Sequence, residues 1–416
     1  MQFQSIIGQR QTREQLVQLV QHNRLGHALL FLGREGSGAL SLALAFAQYI
    51  VCEKVNEKEA IGNKQSASEP SLFEESISTV DSKPQTTNYK PRTLNDSCGT
   101  CPACIKSNLL IHPDIHFSYP VITKKPGEKS ISTDFIREWR EFISSNPYGN
   151  VYDWLQFIGA ENKQGNITAS ECNDIIRKLN LKSFESEYKI FILWMPEFLG
   201  KEGNKLLKLI EEPPPNTLFI LVAENEDLIL PTILSRTQLI KVPALSNMEV
   251  EAALELRAGV PIEKARQIAA IAEGNYREAL QLVQTAEDDW QLLLREWLNA
   301  ILKTGPVAQV KWIEDAAKLG REKQKQFLKY FTHLLEMAIR LRVIIQANDQ
   351  GPSTDEHDFA LRLNKLCSIG QQEAIINELD KASYYIERNA NAKMLFHALS
   401  IRLYHIINNK SLILVN

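Results

Sequence analysis

The chain has 416 residues, 44% of them hydrophobic, and a formal net charge of −3 from 47 Lys and Arg against 50 Asp and Glu. That length predicts two or three domains with an ample core, and the near-neutral balance argues against a whole-protein attraction to nucleic acid, though not against a local basic patch. No run reaches the roughly 18 apolar residues of a membrane span, and the opening MQFQSIIGQRQ lacks the charged and apolar regions of a secretion signal, so a cytoplasmic protein is expected.

Residues 12–22 read as an amphipathic helix with Leu16, Val17, Leu19 and Val20 on its apolar side. Residues 27–32 read as a buried strand. It runs into Gly33-Arg34-Glu35-Gly36-Ser37-Gly38, the G-x-x-x-x-G frame of a phosphate-binding loop. An Ala- and Leu-rich helix is predicted over 39–51, so strand, glycine loop and helix follow in the required order. The two positions after Gly38 normally carry a Lys for the β- and γ-phosphates and a Ser or Thr for Mg²⁺. Here they are Ala39 and Leu40. The frame is therefore degenerate. Its backbone N–H groups suit an anion, but the groups for turnover are missing. Arg34 reads as a solvated surface charge.

Residues 53–97 are rich in Glu, Lys, Ser, Thr, Asn, Gln and Pro without period, and a disordered insertion is expected. It ends at Cys98-Gly-Thr-Cys101-Pro-Ala-Cys104. Three thiolates in seven residues point to structural Zn²⁺, which takes four N or S ligands. Cys52, just before the insertion, is the candidate fourth ligand, with His112 and His116 as competitors on spacing alone. Cys172 and Cys367 read as buried residues without a role.

Strands are predicted over 114–119, 189–194 and 217–223, the last two as continuous apolar runs of the kind covered on both faces. Helices are predicted over 132–144, 168–180 and 203–211. Alternation of strand and helix means an α/β domain with a central parallel sheet. After Pro243 the strand signals stop. Residues 246–286 read as a compact helical unit broken at Gly274-Asn275. From 288 onward the chain reads as helical. Phe327, Phe331, Leu334, Ala338, Leu341 and Ile345 form one apolar stripe, and Ala392, Leu395, Leu399, Leu403 and Ile406 another. Core packing is the expected use of both.

Several segments together resemble bacterial clamp-loader subunits. Residues 204–214, NKLLKLIEEPP, resemble the family's NALLKxLEEPP segment, and Pro231-Thr232-Ile233-Leu234-Ser235-Arg236-Thr237 resembles its S-R-C motif, with Thr237 in place of Cys. Ile7-Gly8-Gln9 and Arg24-Leu25-Gly26-His27-Ala28 resemble the segment before the phosphate loop. The cysteine module after the loop helix is a further family mark, and Gly274 to Leu280 resembles the sensor-2 stretch, with Arg277 at the arginine position. The resemblance covers residues 1 to about 285. The remainder fits by position and length only. It implies an α/β P-loop (AAA+) domain with a parallel sheet and the zinc module over 1–244, a small helical lid domain over 245–287, and an all-α C-terminal collar domain over 288–416.

Departures from the family pattern narrow the reading. The acidic pair of an active motor falls on Trp194-Met195, leaving only a displaced Glu197, and the sensor-1 position is Ala223-Glu224 rather than a Thr or Asn donor. The resemblance thus implies a non-hydrolysing member of a ring. Arg236, supported by Ser235, would be supplied in trans to ATP held by a neighbour, an arginine finger being worth about 10³–10⁵ in rate. Implied partners are the gamma/tau-type motor subunits, the delta subunit, the sliding clamp and, through the complex, primed DNA. With the site degenerate, Arg277 is expected to be a relic, to bind an anion or to pair between domains. The other readings are an active gamma/tau-like ATPase with an unusual site and a zinc-dependent nucleic-acid-binding protein on the same fold. Ala39 and Leu40 weigh against the first, and the near-neutral charge against the second.

Overall fold

The computed structural model describes residues 1–56, 95–123, 130–160, 163, 165–284, 290–344, 355–387 and 390–408. Two compact units divide the chain, Met1–Glu278 and Ala279–Asn416. In the first, β1 (Ala28–Gly33), β2 (Ile115–Ser118), β3 (Lys189–Trp194), β4 (Thr217–Ala223) and β5 (Gln238–Val242) form one sheet in the order β2-β3-β4-β1-β5. Every neighbouring pair is parallel. Leu30 aligns with Leu221 and with Leu239, which places β1 between β4 and β5.

β3 and β4 are buried at every position, because helices cover both sheet faces and leave no side for polar residues. Side-chain alternation sorts the residues. Leu29, Phe31, Ile192, Trp194, Ile220 and Val222 pack with the helix Ala39–Val51 on one face. Leu30, Phe191, Leu193, Phe219 and Leu221 pack with the helix Ala169–Leu179 on the other. The helix Ala39–Val51 is buried along its whole length.

The structure corrects the sequence reading at several places. β5 carried no continuous apolar run. Its Gln238, Leu239 and Lys241 are exposed while Ile240 and Val242 are buried, the alternation of a strand at the sheet's edge. Of the helix expected over 203–211, Leu207–Glu211 is α-helical, while residues 203–206 end a 3-10 segment, Pro196–Leu206, that is kinked at Gly200. Before the helix Ile136–Ser145 the chain makes a 3-10 turn over Ser132–Phe135. The helix Val151–Phe157 was not anticipated. Asn150 and Asp153 form a reciprocal capping box at its start, which stabilises a helix too short for a periodic signal.

Both ends of the expected insertion belong to the fold. Glu53–Asn56 is a helical turn, and Asp96 accepts hydrogen bonds from the backbone N–H groups of Phe3 (3.0 Å) and Gln4 (2.9 Å). Residues 57–94, where disorder was expected, lie outside the described residues.

Among its described residues, every regular element of the second unit is helical, ending with Ala392–Ile407. Trp297 stacks on Trp312 at 4.8 Å, and both rings meet Phe327 and Phe396. Phe327, Phe331, Leu334 and Ala338 of the first stripe are buried here, as are Leu399, Leu403 and Ile406 of the second. Ile345 lies outside the described residues. Among the described residues, no helix is long and apolar enough to cross a membrane.

Candidate functional site

The glycine loop joins β1 to the helix Ala39–Val51. Gly36 (φ +71°) and Gly38 (φ +85°) take the left-handed backbone that glycine tolerates. A Cβ on Gly38 would lie 2.7 Å from Cε1 of Tyr148, and one on Gly36 would lie 2.0 Å from Oδ1 of Asn275. The space against the loop is therefore filled by this chain's own side chains. The cleft between the loop, Pro147, Tyr148, Trp194 and Glu224 holds about 30 Å³, room for roughly a water or two. Ala39 and Leu40 are buried in the apolar core.

The segment from Pro147 onward is held down at several points. The Ser41 hydroxyl donates to Pro147 O (2.5 Å), and Ile7 N–H donates to the Tyr148 hydroxyl oxygen (2.8 Å). Gln9 Nε2 donates to Ser37 O (3.2 Å) and Pro243 O (2.6 Å), tying the loop to the chain after β5.

Arg277 closes the other side. Its guanidinium is 5% exposed and binds Asp153 bidentately, Nε to Oδ2 at 2.5 Å and Nη2 to Oδ1 at 2.6 Å, while Nη1 reaches Oε1 of Glu35 at 2.8 Å. Glu35, inside the glycine loop, also accepts from Asn150 Nδ2 (3.0 Å) and Asn275 Nδ2 (3.2 Å). The arginine at the sensor-2-like position thus neutralises carboxylates of its own chain. A carboxylate within the loop also opposes a phosphate there, since like charges repel. Arg34 is exposed.

Trp194 sits in an aromatic cluster, 5.2 Å from Trp139 and 6.3 Å from Phe142 between ring centroids. Met195 takes φ +58° and donates its N–H to Val222 O. Glu197 does not turn toward the loop. Its Oε1 accepts from the N–H groups of Glu224 (2.7 Å) and Asn225 (2.9 Å), securing the turn after β4. Burial raises the Glu197 pKa against those two bonds. The Glu224 carboxyl is pushed up to about 8, first by desolvation and then by Glu35 and Glu197 nearby, with Arg277 opposing.

Ser235 and Arg236 follow the short helix Pro231–Leu234. Arg236 is about one-third exposed. Its Nε pairs with Glu211 Oε1, and Nη1 donates to Thr232 O (2.8 Å) and to the Ser235 hydroxyl (3.1 Å). Glu211 ends the helix Leu207–Glu211, so the EEPP and S-R segments meet through this pair.

The sulfurs of Cys52, Cys98, Cys101 and Cys104 lie within 4.8 Å of one another. A tetrahedral site with Zn–S near 2.3 Å needs sulfurs roughly 3.8 Å apart, so the set could hold a metal ion such as zinc. Backbone N–H groups support it: Cys98 to Cys52 Sγ (3.3 Å), Cys101 to Cys98 Sγ (3.3 Å) and Cys104 to Cys101 Sγ (3.5 Å). Such bonds suit thiolate charge. Gln2 and Gln48 hold the entry to the module at Ser97. His112 is buried and takes the Asp114 N–H on Nδ1. It is not in the cluster, nor is His116 on β2. Cys172 and Cys367 are buried elsewhere.

Sequence reasoning missed Tyr148, Asn150, Asp153 and Glu211. The N-x-x-D capping signature at 150–153 was the one local clue.

The family model described as "DNA polymerase III, delta subunit" matches residues 8–79 and 150–246. The DNA polymerase III subunit tau of Bacillus subtilis (strain 168) is 22% identical over 341 residues, 80% of this chain and 46% of that protein. The subunit delta' of the same organism is 23% identical over 269 residues, 64% of this chain and 57% of that protein. The subunit delta' of Haemophilus influenzae is 26% identical over 180 residues, 40% of this chain and 43% of that protein. The chain spans about half the length of these curated relatives. Identity to tau and to delta' is alike.

Proposed function

The chain belongs to the DNA polymerase III clamp-loader family, and from that premise we propose that it is a non-hydrolysing subunit of the delta-prime type. In this reading it turns over no ATP itself. It supplies Arg236 in trans to ATP held by a neighbouring gamma/tau-type motor during loading of the sliding clamp on primed DNA. The observation that carries the reading is the contrast between two arginines. Arg277 is 5% exposed and held by both Glu35 and Asp153 beside a filled glycine loop, whereas Arg236 is about one-third exposed and pairs with one solvent-accessible carboxylate, Glu211. Groups that act on a nucleotide in cis are gone, and one suited to act on a neighbour's remains. A guanidinium is the right group because it stays charged and forks onto phosphate oxygens.

Residues 1–244 would be the AAA+ domain, 245–287 the lid and 288–416 the collar that joins the ring, with the delta subunit as a further neighbour. The four cysteines would hold a structural Zn²⁺, since all four ligand positions are filled from the protein and none is left open for chemistry.

The experiment is a loader reconstituted with Arg236→Ala. Assembly should be intact and DNA-stimulated ATP hydrolysis reduced. Unchanged hydrolysis sinks the finger assignment, and saturable ATP turnover by the isolated wild-type chain sinks the non-hydrolysing one.

A further inference from the structure

Glu211 has no role in the function proposed above, yet it is the charged partner of the one arginine that function needs. Three acceptors surround the Arg236 guanidinium. Glu211 takes the Nε–H, and Thr232 O and the Ser235 hydroxyl take Nη1. Nη2 keeps both of its N–H groups outside this set. Thr232 O and Ser235 lie on the same short turn as Arg236 and move with it. Glu211 alone comes from another element, the end of the helix Leu207–Glu211.

We infer that Glu211 is a positioning residue for the finger: it fixes the plane of the Arg236 guanidinium so that Nη2 is presented outward, toward the phosphate of a neighbour's ATP. The inference rests on the reading of Arg236 as a finger. A long, partly exposed arginine otherwise samples many rotamers, and freezing them at the moment of reaction costs entropy that a fixed geometry avoids. Glu211 can do this without trapping the arginine. Both side chains are solvent-accessible, at 35% and 44%, so the pair is screened by water and only weakly stabilising. The dianionic γ-phosphate can therefore draw on Nη2 while Nε stays held.

The test uses the full reconstituted loader with Glu211→Ala, Glu211→Gln and Arg236→Ala in parallel, reading single-turnover hydrolysis against ATP and primed DNA. Glu211→Ala should lower kcat at the site served by Arg236 by about tenfold, as expected for a lost orienting contact, with KM for ATP changed less than about twofold. Glu211→Gln keeps an acceptor oxygen and should restore most of the rate. A merely structural role would not give that rescue. Wild-type kcat in Glu211→Ala while Arg236→Ala is impaired overturns the positioning role and leaves the finger standing. A raised KM, or failure of Glu211→Ala to co-elute with the other subunits, assigns Glu211 to the interface and overturns it too. If Arg236→Ala is itself unimpaired, there is no finger to position and both readings fall.

Discussion

Nη1 of Arg277 lies 2.8 Å from Oε1 of Glu35, although the two residues are 242 positions apart in the chain. The pair joins the start of the helix Tyr276–Gln284 to the glycine loop, and Asp153 completes it from a third segment. One buried cation thus holds two carboxylates beside the glycine loop.

Removing that cation takes the shared positive charge from two partly buried carboxylates. Arg277→Met should destabilise the first unit by about 3 kcal/mol, the low end for breaking a buried pair, because Glu35 and Asp153 retain some solvent contact. Arg277→Lys should recover only part, since an ammonium cannot bind Asp153 bidentately. Native-state hydrogen exchange across the helix Val151–Phe157 reads the effect locally.

Tyr148 and Gly38 are fitted to each other. Gly38→Ala should cost roughly 1–3 kcal/mol, combining a left-handed backbone with a Cβ driven against the tyrosine ring. Tyr148→Ala should open the cleft without creating an ATPase, because Ala39 and Leu40 still offer no cation and no Mg²⁺ ligand. Calorimetry and a phosphate-release assay on the variant check this, and measurable turnover would count against the argument from Ala39 and Leu40.

The raised pKa of Glu224 makes stability depend on pH. Its folded value is about 8 and its ordinary value 4.5. Between these the folded chain holds a proton that the unfolded chain has released, so the contribution is present below about pH 4.5 and is lost as pH rises toward 8. Denaturant unfolding at pH 5, 6.5, 8 and 9 should therefore show a smaller decline with pH for Glu224→Gln than for the wild type. Parallel pH profiles would mean that Glu224 is ionised in the folded chain throughout.

Metal analysis of the purified chain should find about one zinc per molecule, and Cys52→Ala should lose it together with thermal stability of the first unit. His112→Ala should retain it. A zinc content that follows His112 rather than Cys52 would reassign the fourth ligand.

Local patterns in the chain are legible wherever neighbouring residues share one environment. β1, β3 and β4 were legible because a strand buried on both faces must be continuously apolar. The helix Ala39–Val51 was legible for the same reason, and the loss of Lys and Ser/Thr after Gly38 needed no coordinates. Three of the four cysteines announced themselves by spacing. Contacts between separate segments emerge only on folding: Cys52 beside Cys98 to Cys104, Tyr148 over Gly38, Arg277 on Glu35 and Asp153, Glu211 on Arg236. These pairings leave no period in the chain, since each partner is a single polar or aromatic residue whose neighbours serve other ends. β5 fell between the two cases, because an edge strand may expose every second residue and so looks like a loop until β1 pairs with it.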